Sequence, residues 1–391
     1  MEKQELRTRI LKAYGANNSD TEELLAYNEN AFNTANLEPP ITFPLAPEPH
    51  VATWENYRAE ATERGTFETL KKRLIQLQFP IQAGISQTEA YRGATRRGVP
   101  VDSMAEATGL VLTQPERLQL IIHQSLAGTI PVLIAGNRED FVLLVQALTT
   151  RNEPKPVPAS MGACMVAGFN NWDRIRQYRQ EWEANHPDHT SEASWMAEFK
   201  QLIPKKELYQ DRFMILSQGP YSDVSAQDIG VNVAEWLRLS LVIRLEHECT
   251  HYFTRRLFNS MRNNPLDELI ADYRGIVDAI GYYRADWFLR FMGLESFPNY
   301  RQGGRLQNYR GSLSPGSFKI LQSLVVSAAR NLEAFERQLL KPINPAAMLT
   351  TLCCLTLEEL ACDAVDTYLS EAFQLEKTKN SQLRSKNTSI R

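Results

Sequence analysis

The chain has 391 residues, 43% hydrophobic and 23% charged, the proportions of a globular protein with material for a large core. With 43 basic and 46 acidic residues the net charge is −3, which gives no field to attract nucleic acid or an anionic membrane surface. No apolar run approaches the ~20 residues of a membrane-crossing helix, and the charged start MEKQELRTRILKAYG has no signal-peptide core, so a cytoplasmic location is expected.

Residues 1–110 read as a helical region. Amphipathic helices are predicted over Glu2–Tyr14 and Asp20–Tyr27, then over Trp54–Leu77 with a break near Gly65. Between them the Pro-rich stretch Leu37–Pro49 is expected to be extended. A further helix fits Ile81–Pro100. Its Arg92, Arg96 and Arg97 form a basic patch, read as a solvated face or as a place for an acidic partner.

Composition changes at 111–225, where branched aliphatics cluster. Leu118–His123 and Thr129–Ile134 read as strands, and Asn137 caps a helix to about Leu148 with Glu139 and Asp140 in its first turn. The small residues from Ser160 to Gly168 read as a tight turn before a polar helix at Trp172–Trp182, or as the wall of a cleft. His186 and His189 fall in a polar loop. Arg212–Ser217 reads as a strand, followed by Gln218–Ser222.

From 226 to 375 the chain is helical again. Val231–Asn264 contains neither Pro nor Gly and carries His247-Glu248-Cys249-Thr250-His251 between apolar flanks (Leu241, Val242, Ile243, Leu245; Tyr252, Phe253, Leu257, Phe258). On a helix, positions i and i+4 share a face, so His247 and His251 can grip one metal ion while Glu248 stands beside its open position. Two histidines in a buried helix need partners. Zinc takes three protein ligands, keeps a fourth position for water and lowers that water's pKa, and a neighbouring glutamate can then accept the proton and pass it to a leaving amine. Asn264 and Pro265 are N-cap and N1 residues of a second helix. A short turn folds that helix back beside the first, which makes Glu268 the best-placed carboxylate to complete the site, with Asp267 and Asp272 also within reach.

These two segments resemble the gluzincin branch of the zincin metallopeptidases, which pairs an H-E-x-x-H helix with a later helix carrying N-E-x-x-[SA]-D. Here the second motif is Asp267-Glu268-Leu269-Ile270-Ala271-Asp272, with Asp267 in place of Asn. Thr254 and Leu257 stand where the metzincin branch needs Gly and His. The resemblance covers about residues 231–283. It implies one Zn2+ per chain held by His247, His251 and Glu268, with Glu248 as general base, Asp272 as the acceptor orienting a histidine, and a peptide or protein as substrate. It also implies an upstream edge strand that holds the peptide, for which Arg212–Ser217 or 129–134 is the candidate, with Tyr221 facing the cleft. A donor to the scissile carbonyl, or a clamp for a substrate carboxylate, is expected from the loop Asn299–Gly311, in which N-Y-R occurs twice: Arg301, Arg305 or Arg310, or Tyr300 or Tyr309.

Helices follow over Ser317–Leu340, Pro345–Leu355 and Leu357–Phe373, with Glu358, Glu359, Asp363 and Asp366 read as a solvated face. The tail 376–391 is polar and expected to be disordered. Five cysteines without paired spacing argue against a disulfide framework, and Cys249, Cys353 and Cys354 read as buried thiols. The expected fold is α+β and mainly helical: a zincin-like core with a small central sheet and added N- and C-terminal helices. The expected function is zinc-dependent hydrolysis of peptide bonds. Another metal-dependent hydrolysis, or a binding or regulatory role on the same scaffold, is the alternative.

Overall fold

A computed structural model describes residues 2–32, 41–189, 191–262, 264–339 and 344–373. The tail expected to be disordered lies outside these residues, as does part of the Pro-rich stretch. In chain order the elements are α1 (Glu2–Ala13), α2 (Asn18–Tyr27), α3 (Val51–Arg64), α4 (Thr66–Arg73), α5 (Glu89–Arg97), β1 (Gln119–Ser125), β2 (Gly128–Ile134), α6 (Arg138–Thr149), β3 (Ala163–Asn170), α7 (Trp172–Asn185), α8 (Glu192–Leu202), β4 (Gln210–Leu216), α9 (Ala226–Ile229), α10 (Val233–Phe258), α11 (Pro265–Ile280), α12 (Ala285–Met292), α13 (Pro315–Gln338), α14 (Pro345–Cys353) and α15 (Leu357–Ala361). Helix starts carry the capping chemistry that their unpaired N–H groups require: Asn137, Asn171, Asn232, Asn264, Ser314 and Thr356 each accept from a backbone N–H of the first turn. Contacts divide the chain into two compact units, residues 46–219 and residues 1–45 together with 220–391. Helices α1 and α2 thus belong with α10 and α11, although composition groups them with the segment that runs to residue 110.

Residues 46–219 hold a four-stranded sheet in the order β1-β2-β4-β3. The β1–β2 hairpin is antiparallel with Ser125 opposite Gly128, β2 runs parallel to β4, and β3 is antiparallel to β4. All seven residues of β2 are buried, which is why it reads as one apolar run. Pro131 is tolerated in this inner strand because pairing with β4 starts only at Val132. Trp54, Phe67, Phe141, Leu144, Phe213 and Ile215 build the core on the sheet; Phe79, Tyr91, Trp172 and Trp195 build a second one. Three expectations are corrected. Both candidate edge strands, 129–134 and 212–217, are inner strands with a neighbour on each side, so neither is the sheet edge expected to hold a substrate. The stretch read as a tight turn is instead the edge strand β3, bulged between Ala167 and Phe169. The helix expected over Ile81–Pro100 is confined to α5, capped by Thr88 and ended by Gly98 in the left-handed conformation.

In the other unit, α10 and α11 form an antiparallel pair, and Ile243, Phe253, Leu269, Ile276, Phe288 and Leu324 are among the buried core residues of this unit. The pair approaches closely at Gly275, where a Cβ would lie 2.6 Å from the Ile243 carbonyl oxygen. Glu358 and Glu359, read as solvated, are buried, because α1 and α2 cover them. Arg7 and Asn28 each reach Glu358 at 3.1 Å, and Glu359 closes the cap of α15 on Thr356. Asp363 and Asp366 are exposed as expected. No disulfide links the five cysteines, and among the described residues no helix is long and apolar enough to cross a membrane.

Candidate metal centre

Helix α10 is 26 residues long and presents His247 and His251 on the face that meets α11. Residue pairing runs in opposite directions along the two helices. Gly275 lies against Ile243, Asp272 beside His247 and Glu268 beside His251. Asn264 caps α11 through Asp267 N–H at 3.0 Å, so Glu268 falls in the first turn, where the helix dipole favours a carboxylate.

The Nε2 atoms of His247 and His251 are 3.1 Å apart. Glu268 Oε2 is 3.6 Å from His247 Nε2, and Oε1 is 3.6 Å from His251 Nε2. All three residues are buried. Donors about 2.0–2.2 Å from zinc in tetrahedral array stand roughly 3.3–3.6 Å from one another, so these spacings, with one Glu268 oxygen towards each histidine, fit such an ion. Of the carboxylates within reach, Glu268 is the one that joins the two histidines.

Behind His247 sits a polar cluster. Its Nδ1 lies 2.7 Å from Asp272 Oδ1 and 2.9 Å from the Tyr221 hydroxyl. A carboxylate there keeps the proton on Nδ1 and leaves the Nε2 lone pair facing Glu268 and His251. Tyr221 donates to Asp272 at 2.5 Å. Arg305 donates through Nη1 to the Tyr221 hydroxyl (2.9 Å) and to Ser222 Oγ (3.0 Å). Its Nη2 pairs with Asp272 and lies 3.5 Å from Glu268. Tyr309 stands close enough to Glu268 and Arg305 for their charges to act on its hydroxyl. Tyr221 is fixed from its own side by its N–H on Ser240 Oγ at 2.9 Å and by Arg244 at 5.7 Å over its ring.

The electrostatics follow from burial and these partners. Burial alone would raise the Glu268 pKa, but His251, His247 and Arg305 hold it well below the usual carboxylate range. Burial also works against ionisation of Asp272, and Arg305 and His247 outweigh it. Burial raises Asp267 to about 7, with the His251 charge opposing. Burial would depress His251, yet the Glu268 carboxylate beside it, with the Glu248 and Asp267 charges beyond, raises it to about 9. Two ionised carboxylates therefore face one arginine, and the second positive charge is a proton on His251. A divalent cation satisfies the same deficit, at the cost of that proton. The donor set thus fits zinc in number, chemistry and charge.

Glu248 is half-buried, and its charge acts on His251. Its carboxylate forms no hydrogen bond or ion pair among the described residues. The residues expected to meet a substrate are engaged otherwise, and Tyr300 donates to the Gly304 carbonyl at 2.6 Å. Tyr221 and Arg305 lie on the Nδ1 side of His247, where they hold its orientation. Arg301 bonds Glu295 at 2.5 Å and the Arg290 carbonyl at 2.7 Å. Arg310 caps the Leu313 carbonyl at 3.2 Å and stacks over Phe318. Ser222 is a contributor that the motifs do not reveal, and Tyr309, expected as a donor to the substrate, stands near Glu268 instead; both arrive from outside the helix pair. The glycines near the loop are the only trace in the sequence: Gly304 packs so tightly on the end of α12 that a Cβ would lie 2.5 Å from the Met292 carbonyl, and this contact delivers Arg305 and Tyr309.

No curated protein and no solved structure matches the chain. Residues 9–364 match the family described as a family of unknown function, DUF7005. That span covers residues 46–219 whole, most of the other unit and every residue of the candidate centre, and the chain belongs to this family.

Proposed function

We propose that this protein is a zinc-dependent metallopeptidase of zincin type, with His247, His251 and Glu268 holding the ion and Glu248 acting as general base. The observation that carries the reading is the meeting of two imidazole nitrogens and one carboxylate, with a half-buried carboxylate beside them that has no hydrogen-bond or ion-pair partner among the described residues. A site built only for stability would supply a fourth protein ligand; three donors and a spare glutamate suit chemistry.

A bound zinc supplies a Lewis acid for the scissile carbonyl and lowers the pKa of water at the site. The chain's own residues do the rest. His247 is held in one tautomer by Asp272 and Tyr221. Arg305 neutralises Asp272, so that the buried carboxylate pair carries less net charge. Glu248 takes a proton from water and returns it to the leaving nitrogen, both at its free carboxylate oxygens. The peptide as substrate rests on the likeness of the two motifs to gluzincins.

The test is Glu248→Gln, which keeps size and removes basicity. The purified variant should retain its metal and lose roughly 10²–10⁴-fold in cleavage of a quenched-fluorescence peptide library, the usual span for a general base. Equal cleavage by both forms, or none by the zinc-loaded wild type, would contradict peptidase action at this site.

A further inference from the structure

The sheet of residues 46–219 has an open edge, and it lies in a groove. The groove encloses about 680 Å³ and is lined on one side by residues 164–170 of β3 and on the other by Tyr91, Thr95 and Arg96 of α5, with Thr149 and Arg151 at the end of α6. The register fixes which main-chain groups face it. Ser217 N–H bonds the Gly162 carbonyl at 2.9 Å, so 162 and 217 are a hydrogen-bonded pair. By the antiparallel alternation Cys164 and Val166 then bond Ile215 and Phe213. Met165 and Ala167 turn their N–H and C=O away from β4 into the groove.

Edges of sheets are normally guarded by charged side chains, by proline or by an early bulge. Strand β3, ACMVAGFN, has no charged residue and no proline, and its bulge falls late, after Ala167. Its core-facing residues Cys164, Val166 and Phe169 anchor it, so the edge is rigid. Charge gives the second observation. Arg97 pairs with Glu89, whereas the exposed Arg96 and Arg151 have no carboxylate partner among the described residues, and no acidic residue lines the groove.

We infer that this groove docks an extended, acidic segment of a partner protein, which adds to β3 as a further strand and sets its carboxylates against Arg96 and Arg151. Main-chain hydrogen bonds supply the affinity and the two arginines supply the sign preference. The surface belongs to residues 46–219 and binds without cleaving.

The test is fluorescence anisotropy on the full chain carrying Glu248→Gln, which silences turnover. The probe is a labelled peptide of alternating Glu and Val. It should bind saturably, while the same peptide with Lys for Glu should not. Methylating every backbone amide of the probe should abolish binding, since the ladder can no longer form. The variant Arg96→Glu/Arg151→Glu, at two exposed positions, should weaken binding by roughly tenfold or more with an unchanged circular dichroism spectrum. Absence of saturable binding, equal binding of the Lys or N-methylated peptide, or affinity that survives both charge reversals would overturn the proposal.

Discussion

Asp272 has two duties at the residue scale: it fixes the His247 imidazole through Nδ1 and it is the counter-ion of Arg305. Asp272→Asn keeps the shape and an acceptor oxygen but removes the charge, leaving a buried guanidinium without its partner. Acceptors that orient metal-bound histidines are typically worth 10–100-fold in affinity, and a loss of that size in zinc binding is expected here, read by competition with a chromogenic chelator. Unchanged affinity would mean that His247 needs no support. The candidate ligand residues are legible in the sequence, because the i, i+4 spacing and the Asn264-Pro265 start are local signals. Asp272 is equally legible from the motif. Tyr221, Ser222, Arg305 and Tyr309 are not legible as supports, since each is brought in by loop packing that no short pattern encodes. Tyr221 and Arg305 therefore read as substrate groups when in fact they stand behind His247.

At the scale of elements, the spacing of α10 and α11 determines whether three donors meet. Gly275 sets that spacing, two turns along α11 from Glu268 and facing Ile243, one turn before His247. Gly275→Ala would gain up to about 1 kcal/mol of helix propensity. The added methyl, 2.6 Å from a backbone carbonyl, cannot be relieved by a side-chain rotation, and overpacking of this kind typically costs about 1–3 kcal/mol. The net expectation is a lower melting temperature and weaker zinc binding together, measured by thermal unfolding with and without added zinc. A melting temperature at or above wild type would show that the helices have slack. A glycine inside a helical pattern is visible in the sequence, but its partner becomes known only once the helices are paired. The edge strand β3 escaped for a related reason. Its small residues and Gly168 look like a turn until β4, some forty residues later, supplies the ladder.

On the scale of the whole chain, the first thirty residues and the last described ones close the unit that carries the candidate metal centre. Arg7 and Glu358, 351 positions apart, form a buried pair at 3.1 Å, and Tyr14 donates to the Ala361 carbonyl at 2.7 Å. Removing one member of a buried pair strands the other, typically at 3–5 kcal/mol, whereas replacing both by apolar residues is often neutral. Arg7→Met should therefore destabilise the protein by about 3 kcal/mol in urea unfolding, and Arg7→Met/Glu358→Met should recover most of it. Additive losses would mean that the pair is not coupled. Glu358 and Glu359 looked solvated because a run of acids on a short helix normally is; only the return of the N-terminal helices buries them. The α+β, mainly helical class was legible from composition and periodicity. The grouping of residues 1–45 with 220–391 was not, because it depends on contacts across almost the full length of the chain.

The account stands on two imidazoles and one carboxylate sharing a single ion. Elemental analysis of the purified chain beside His247→Ala and Glu268→Ala measures this directly. One zinc per chain in the wild type, lost from both variants while their folds persist by circular dichroism, is the predicted result. A wild type that takes up no zinc, or variants that keep it, would contradict the assignment.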